Sequence, residues 1–98
     1  MPPVELRHLR YFVTVAELLN FTKAAQRLRV AQPALSRQIR DLEAELSVPL
    51  LERGPRAAKL TEAGAAFLGE ARAILQRADE AVKLARAVAR GELGEIHV

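Results

Sequence analysis

The sequence predicts a mainly α-helical fold with one small two-stranded β element, and three observations carry that prediction. Apolar residues recur three and four positions apart through most of the chain, the period of helices packed on one side. Residues 63–89 contain no proline, and only Gly64 and Gly69 interrupt good helix formers there, so one long helix closes the chain. Between the helical stretches, two short apolar pieces bracket a Gly54-Pro55 turn, the mark of a small hairpin. The chain has 98 residues, enough for one small domain with an appendage.

Composition narrows the function classes. Half the residues are apolar and only 4% are aromatic, so the core is aliphatic and modest. Cores of this size are marginal, and oligomerisation is a common remedy. Cysteine is absent, which excludes disulfides and thiolate metal sites and fits a reducing, cytoplasmic setting. His8 and His97 have no partners at ligand spacing and read as surface residues, so neither a metal nor a cofactor is expected. No apolar run approaches the ~18–20 residues that cross a bilayer, and no signal peptide precedes Leu6. Residues 1–60 hold ten Lys/Arg against six Asp/Glu, whereas residues 61–98 hold five against six. The positive excess lies with the first part of the chain.

In order, residues 1–4 are a ragged start. Residues 5–19 form the first helix, with Leu6, Leu9, Val13 and Ala16 on one stripe, Phe12 beside it, and Glu5 complementing the dipole at its head. Thr22 caps a short second helix over residues 23–28, which includes the small pair Ala24 and Ala25. Arg29, Val30 and Ala31 make a turn. The third helix opens with Pro33 at its first position, where a missing N–H costs nothing. Leu35, Ile39, Leu42 and Leu46 form its buried face, with Pro33, Arg37 and Arg40 opposite, Ser36 on the flank and Gln32 at the exposed start. After the stop at Ser47-Val48-Pro49, residues 50–53 and 58–60 pair as a hairpin with Arg56 at the tip. Thr61 caps the long helix, with Glu62 in its first turn. Along it Phe67, Ala71, Ile74, Ala78, Ala81, Ala85 and Val88 make a heptad seam, beside Leu68, Leu75, Val82 and Ala89. About 28 residues span roughly 40 Å, more than this domain covers, so the seam implies a second chain. A break over residues 90–94 and a strand-like alternation over 95–98 end the sequence. The domains expected are 1–60, 61–90 and 91–98: a compact head, a linker helix, and a hinge opening a further domain.

The second and third helices read as a helix-turn-helix. A basic helical pair is usually no more than solvated surface. Here a hydroxyl cap, close alanines and a three-residue turn precede Gln, Ser and Arg at the head of the next helix. Those side chains hydrogen-bond to base edges, and a recognition helix contacts bases through its N-terminal residues. A hairpin after such a unit is a wing, and arginine at its tip suits a narrow minor groove. The rival reading is a helical interaction module in which the long helix is the function. An enzyme ranks third, because the sequence has no Cys, no His–carboxylate pair at useful spacing and no phosphate-cradling glycine loop, so no catalytic residue is assigned.

ELRHLRYFVTVAE, FTKAAQRL, AQPALSRQI, LEAEL, VPLLERG and LTEAG stand in this order along the chain. From Glu5 onward the sequence resembles the N-terminal DNA-binding part of a LysR-type transcriptional regulator. The resemblance implies a winged helix-turn-helix on double-stranded DNA and a linker helix that pairs antiparallel in a homodimer. It also implies a tetramer of the full-length protein, and a small-molecule inducer bound only by a C-terminal effector domain beyond this stretch. Base contacts fall to Gln32, Pro33, Ser36 and Arg37, and backbone contacts to Thr22, Lys23 and Arg40. The wing contacts are Arg53 and Arg56, and the dimer seam is Phe67, Ala71, Ile74, Ala78, Ala81 and Ala85. Three departures stand out. Ala31 replaces a common serine, Ser47 sits at a frequent glycine position that favours a left-handed helix end, and Ala57 and Ala58 leave the wing less basic. The spelling of AQPALSRQI and LLERG resembles members that control aromatic-compound degradation.

Overall fold

A computed structural model describes residues 4–54 and 58–91. Four helices and one hairpin follow in order: α1 (Leu6–Leu18), α2 (Phe21–Leu28), α3 (Gln32–Leu46), β1 (Leu51–Arg53), β2 (Ala58–Leu60) and α4 (Glu62–Ala89). Helix α1 is the central brace, packing against α2, α3, α4 and β2. The molecule measures 55 × 27 × 20 Å because the far half of α4 runs beyond the head.

The core is aliphatic apart from Phe12. Phe12, Val15, Leu35, Ile39, Leu42 and Leu50 are fully buried, each contributing about 1.5–3 kcal/mol from removal of apolar surface from water. The buried face of α1 is rotated from the stripe expected. His8, Leu9, Phe12, Val15 and Ala16 point inward, Val13 is half-buried, and Leu6 is 40% exposed. His8 is therefore no surface histidine. Its Nδ1 accepts the Glu5 N–H at 3.0 Å, satisfying a donor at the start of the helix. In α3 the expected face holds, with Leu46 half-buried.

Each of the first three helices ends on a non-glycine residue in the left-handed region: Leu19 (φ 52°), Arg29 (φ 60°) and Ser47 (φ 58°). At Arg29 and Ser47 the backbone closes in the Schellman pattern. Val30 N–H donates to the Ala25 carbonyl and Val48 N–H to that of Glu43, at 3.0 and 3.1 Å. Ser47 thus makes the left-handed end that its lack of a glycine put in question, at a cost of about 1–2 kcal/mol.

Helix α4 begins as part of the head. Thr61 Oγ1 accepts the Gly64 N–H at 2.9 Å and donates to the Pro49 carbonyl at 2.8 Å. Gly64 then lies against the Leu50 backbone, Phe67 meets Phe12 with ring centroids 5.5 Å apart, and Leu68 and Ala71 enter the core. The head therefore extends past residue 60, and the first three turns of the long helix belong to it.

Candidate nucleic-acid interface

Helix α3 is positioned by its buried side, so its outer side is presented on a rigid support. Leu35, Ile39 and Leu42 have no exposed surface, whereas Gln32, Pro33, Arg37 and Arg40 are exposed and Ser36 is half-buried. The helix starts one residue earlier than expected, with Gln32 leading and Pro33 second. Ala31, its N-cap, offers no side-chain oxygen to the first turn, leaving those N–H groups for solvent or an anion.

Helix α2 also starts earlier than expected. Its cap is Asn20, whose Oδ1 accepts the Lys23 N–H at 2.8 Å, and Thr22 is an exposed residue inside the first turn. The buried pair Ala24 and Ala25 lets α2 sit close to its neighbours, and Thr22, Lys23, Gln26 and Arg27 look outward.

Exposed cations with no carboxylate at ion-pair distance among the described residues gather on α2, α3 and the turn between them. Among the described residues, Lys23, Arg27, Arg29, Arg37 and Arg40 are all exposed, and none lies within ion-pair distance of a carboxylate. All five lie on α2, α3 and the turn between them. On α4, Arg72 pairs with Glu17 at 3.3 Å, Arg77 with Glu80 at 3.9 Å and Lys83 with Asp79 at 3.1 Å, while Arg86 has no carboxylate at ion-pair distance among the described residues. Arg72 thus ties the rod to α1. Arg27 and Arg29 were not singled out as contacts in the sequence; Arg27 flanks the buried alanines in the last turn of α2, and Arg29 is the left-handed residue that ends it.

At the base of the wing, Leu51, Glu52 and Arg53 pair antiparallel with Leu60, Lys59 and Ala58, and Leu50 is buried just ahead of the strand. Arg53 lies against Phe21 and Glu43. Its guanidinium lies 4.9 Å from the centre of the Phe21 ring and 3.8 Å from Glu43. Burial pushes its pKa down, the nearby Arg40 pushes it further, and Glu43 opposes both. Arg56 and Ala57, the wing-tip expectations, lie outside the described residues, as do His97, residues 92–94 of the expected break and the strand-like 95–98.

Of the seam residues, Ala71 is fully buried inside the head and has no surface to offer a second chain, while Phe67 is half-buried against Phe12. Ile74, Ala81, Ala85 and Val88 are exposed and Ala78 is half-buried. They continue beside Val82 and Leu84 as an uncovered apolar strip. Among the described residues no group of His, Cys, Asp and Glu is arranged to hold a metal, and no helix is long and apolar enough to cross a membrane.

The family model for the bacterial regulatory helix-turn-helix protein, lysR family, matches residues 6–65. The Hca operon transcriptional activator HcaR of Escherichia coli (strain K12) is 56% identical over 85 residues, covering 87% of this chain and 29% of that protein. The chain thus spans less than a third of the length of that relative. Among solved structures, the CbnR DNA-binding domain in complex with DNA superposes with a TM-score of 0.85 at 50% identity, covering 88% of this chain and 99% of that one. The BenM DNA-binding domain on catB site 1 DNA gives 0.85 at 51% identity, covering 88% and 97%.

Proposed function

Because the chain belongs to the lysR family of bacterial regulatory helix-turn-helix proteins, we propose that it is the sequence-specific DNA-binding part of a longer transcriptional regulator. The observation that carries this reading is the set of five exposed cations without carboxylate partners on α2, α3 and their turn. Like charges gathered on one surface repel one another and attract polyanions, and phosphates neutralise them. If all five engage, salt dependence reaches a log–log slope of roughly −4 to −5 per reading head.

In this reading α3 lies in the major groove. Arg37 is suited to the O6 and N7 acceptors of guanine and Gln32 to the N6 and N7 of adenine, with Pro33 and Ser36 completing the reading edge. Thr22, Lys23 and Arg40 fix the register on phosphates, and Arg56 reaches the minor groove from the wing. The strip from Ile74 to Val88 pairs with the same strip of a second chain, so two heads sit on one duplex. The full-length protein is a cytoplasmic tetramer whose effector domain follows residue 91 and binds the inducer. The head alone does not sense it.

Selection of bound sequences from a random duplex pool tests the reading. Enrichment of a dyad with half-sites separated by whole helical turns is expected. Retention of the pool without enrichment overturns it.

A further inference from the structure

Glu43, two helical turns beyond Ser36 on α3, joins three elements. It stands on α3, and its Oε2 accepts the N–H groups of both Leu50 and Leu51, at 2.7 and 3.1 Å. Its Oε1 faces the Arg53 guanidinium at 3.8 Å, and that guanidinium covers the ring of Phe21, the first residue of α2. The glutamate side chain is 16% exposed and the arginine side chain 25%, so solvent screens the cluster less than it screens the ion pairs of the rod. Bonds from backbone N–H to a carboxylate are about twice as strong as neutral ones. One further bond ties the hairpin to the rest of the head, from Ala58 N–H to the Leu19 carbonyl at 3.1 Å, while Thr61 N–H donates to the Leu50 carbonyl at 3.0 Å between the hairpin's own ends.

We infer that Glu43 is a positioning residue that clamps the wing to the recognition helix, so that base reading by α3 and backbone contact by the wing act as one rigid unit. The inference rests on the DNA-binding reading for its functional half. Its structural half, a hairpin held by a carboxylate of α3, stands on the contacts alone. The sequence chemistry of LEAEL does not single out Glu43, because a glutamate late in an amphipathic helix ordinarily meets solvent.

Glu43→Gln keeps an oxygen for the two N–H groups but turns an amide donor toward Arg53. Arg53→Met keeps the carboxylate bonds and removes the cation over Phe21. Two measurements on the 98-residue chain separate the possibilities. In amide hydrogen exchange, Glu43→Gln raises the rates at Leu51, Glu52 and Lys59 about tenfold or more while those at Leu35 and Ile39 stay within about twofold, as expected for local opening. On the best duplex from the random pool, hydroxyl-radical protection of the flanking backbone fades in Glu43→Gln, while guanine N7 protection in the major groove persists at matched occupancy. Arg53→Met shows the same split more weakly. The double variant resembles Glu43→Gln, because the two side chains act through one contact. Uniform exchange across head and hairpin, or proportional loss of both kinds of protection, overturns the inference. If Glu43→Gln does not fold, the same split in Arg53→Met supports the clamp and its absence refutes it. A wild-type chain that protects no duplex refutes the DNA reading, and the exchange data then decide the clamp separately.

Discussion

Gly64→Ala places one methyl group where the structure has no room. A Cβ built there runs into the Leu50 carbonyl oxygen and falls 2.9 Å from its carbon and 3.2 Å from a Leu60 methyl. Two of the three atoms are backbone, and Leu50 is fully buried, so the neighbour cannot rotate away. Restoring ordinary contact requires a shift of more than an ångström at the start of the wing. That shift also strains the Thr61 N–H bond to Leu50 and the Gly64 N–H bond to Thr61. Overpacking of this kind costs about 1–3 kcal/mol, and losing either bond adds about 1 kcal/mol. The gain in helix propensity from glycine to alanine offsets roughly 1 kcal/mol. The net expectation is a loss of about 2 kcal/mol, or a melting temperature lower by roughly 10 °C. Gly69→Ala is the internal control, since its Cβ meets nothing within 4 Å and should stabilise by about 0.5–1 kcal/mol. Urea denaturation of both variants, followed by circular dichroism, compares them directly. Equal stability of the two would refute the close-approach argument.

Three other outcomes follow from the same contacts. Asn20→Ala should destabilise the fold by about 1 kcal/mol by uncapping α2, whereas Thr22→Ala should change stability by less than about 0.5 kcal/mol yet weaken DNA binding; thermal melts and titrations separate the two. Ser47→Gly should stabilise by roughly 0.5 kcal/mol in urea, the relief of the left-handed serine exceeding the entropy cost of glycine in the unfolded chain. Ala78→Glu, placed in the uncovered strip of α4, should shift mass toward monomer in sedimentation; a wild-type chain already monomeric at micromolar concentration would contradict the dimer.

Elements with a strong period or an unambiguous signal were legible in the sequence. The α3 face, the Thr61 cap, the hairpin and the full length of α4 all follow from spacing. What escaped was set by contacts distant in sequence. The face of α1 turned because Val15 and His8, rather than Leu6 and Val13, meet the other elements. Asn20 took the cap from Thr22 because Phe21 joined the helix. The contacts of Arg53 with Glu43 and Phe21, 10 and 32 residues earlier in the numbering, left no signal in the spacing. Arg72 was indistinguishable from Arg77 along the rod, although only Arg72 reaches Glu17 of α1.

The central claim is that the outer face of α3 reads bases, and Arg37→Ala tests it most directly, by affinity on the selected duplex and on a random one at fixed salt. Arg77→Ala, with a side chain 87% exposed on the rod, is the control. Arg37→Ala is expected to lose about 1–3 kcal/mol on the selected duplex, much less on the random one, and to relax one or two base positions, while Arg77→Ala matches wild type on both. Equal losses for Arg37→Ala on the two duplexes would contradict the account, because a residue that touches only phosphates weakens all sequences alike.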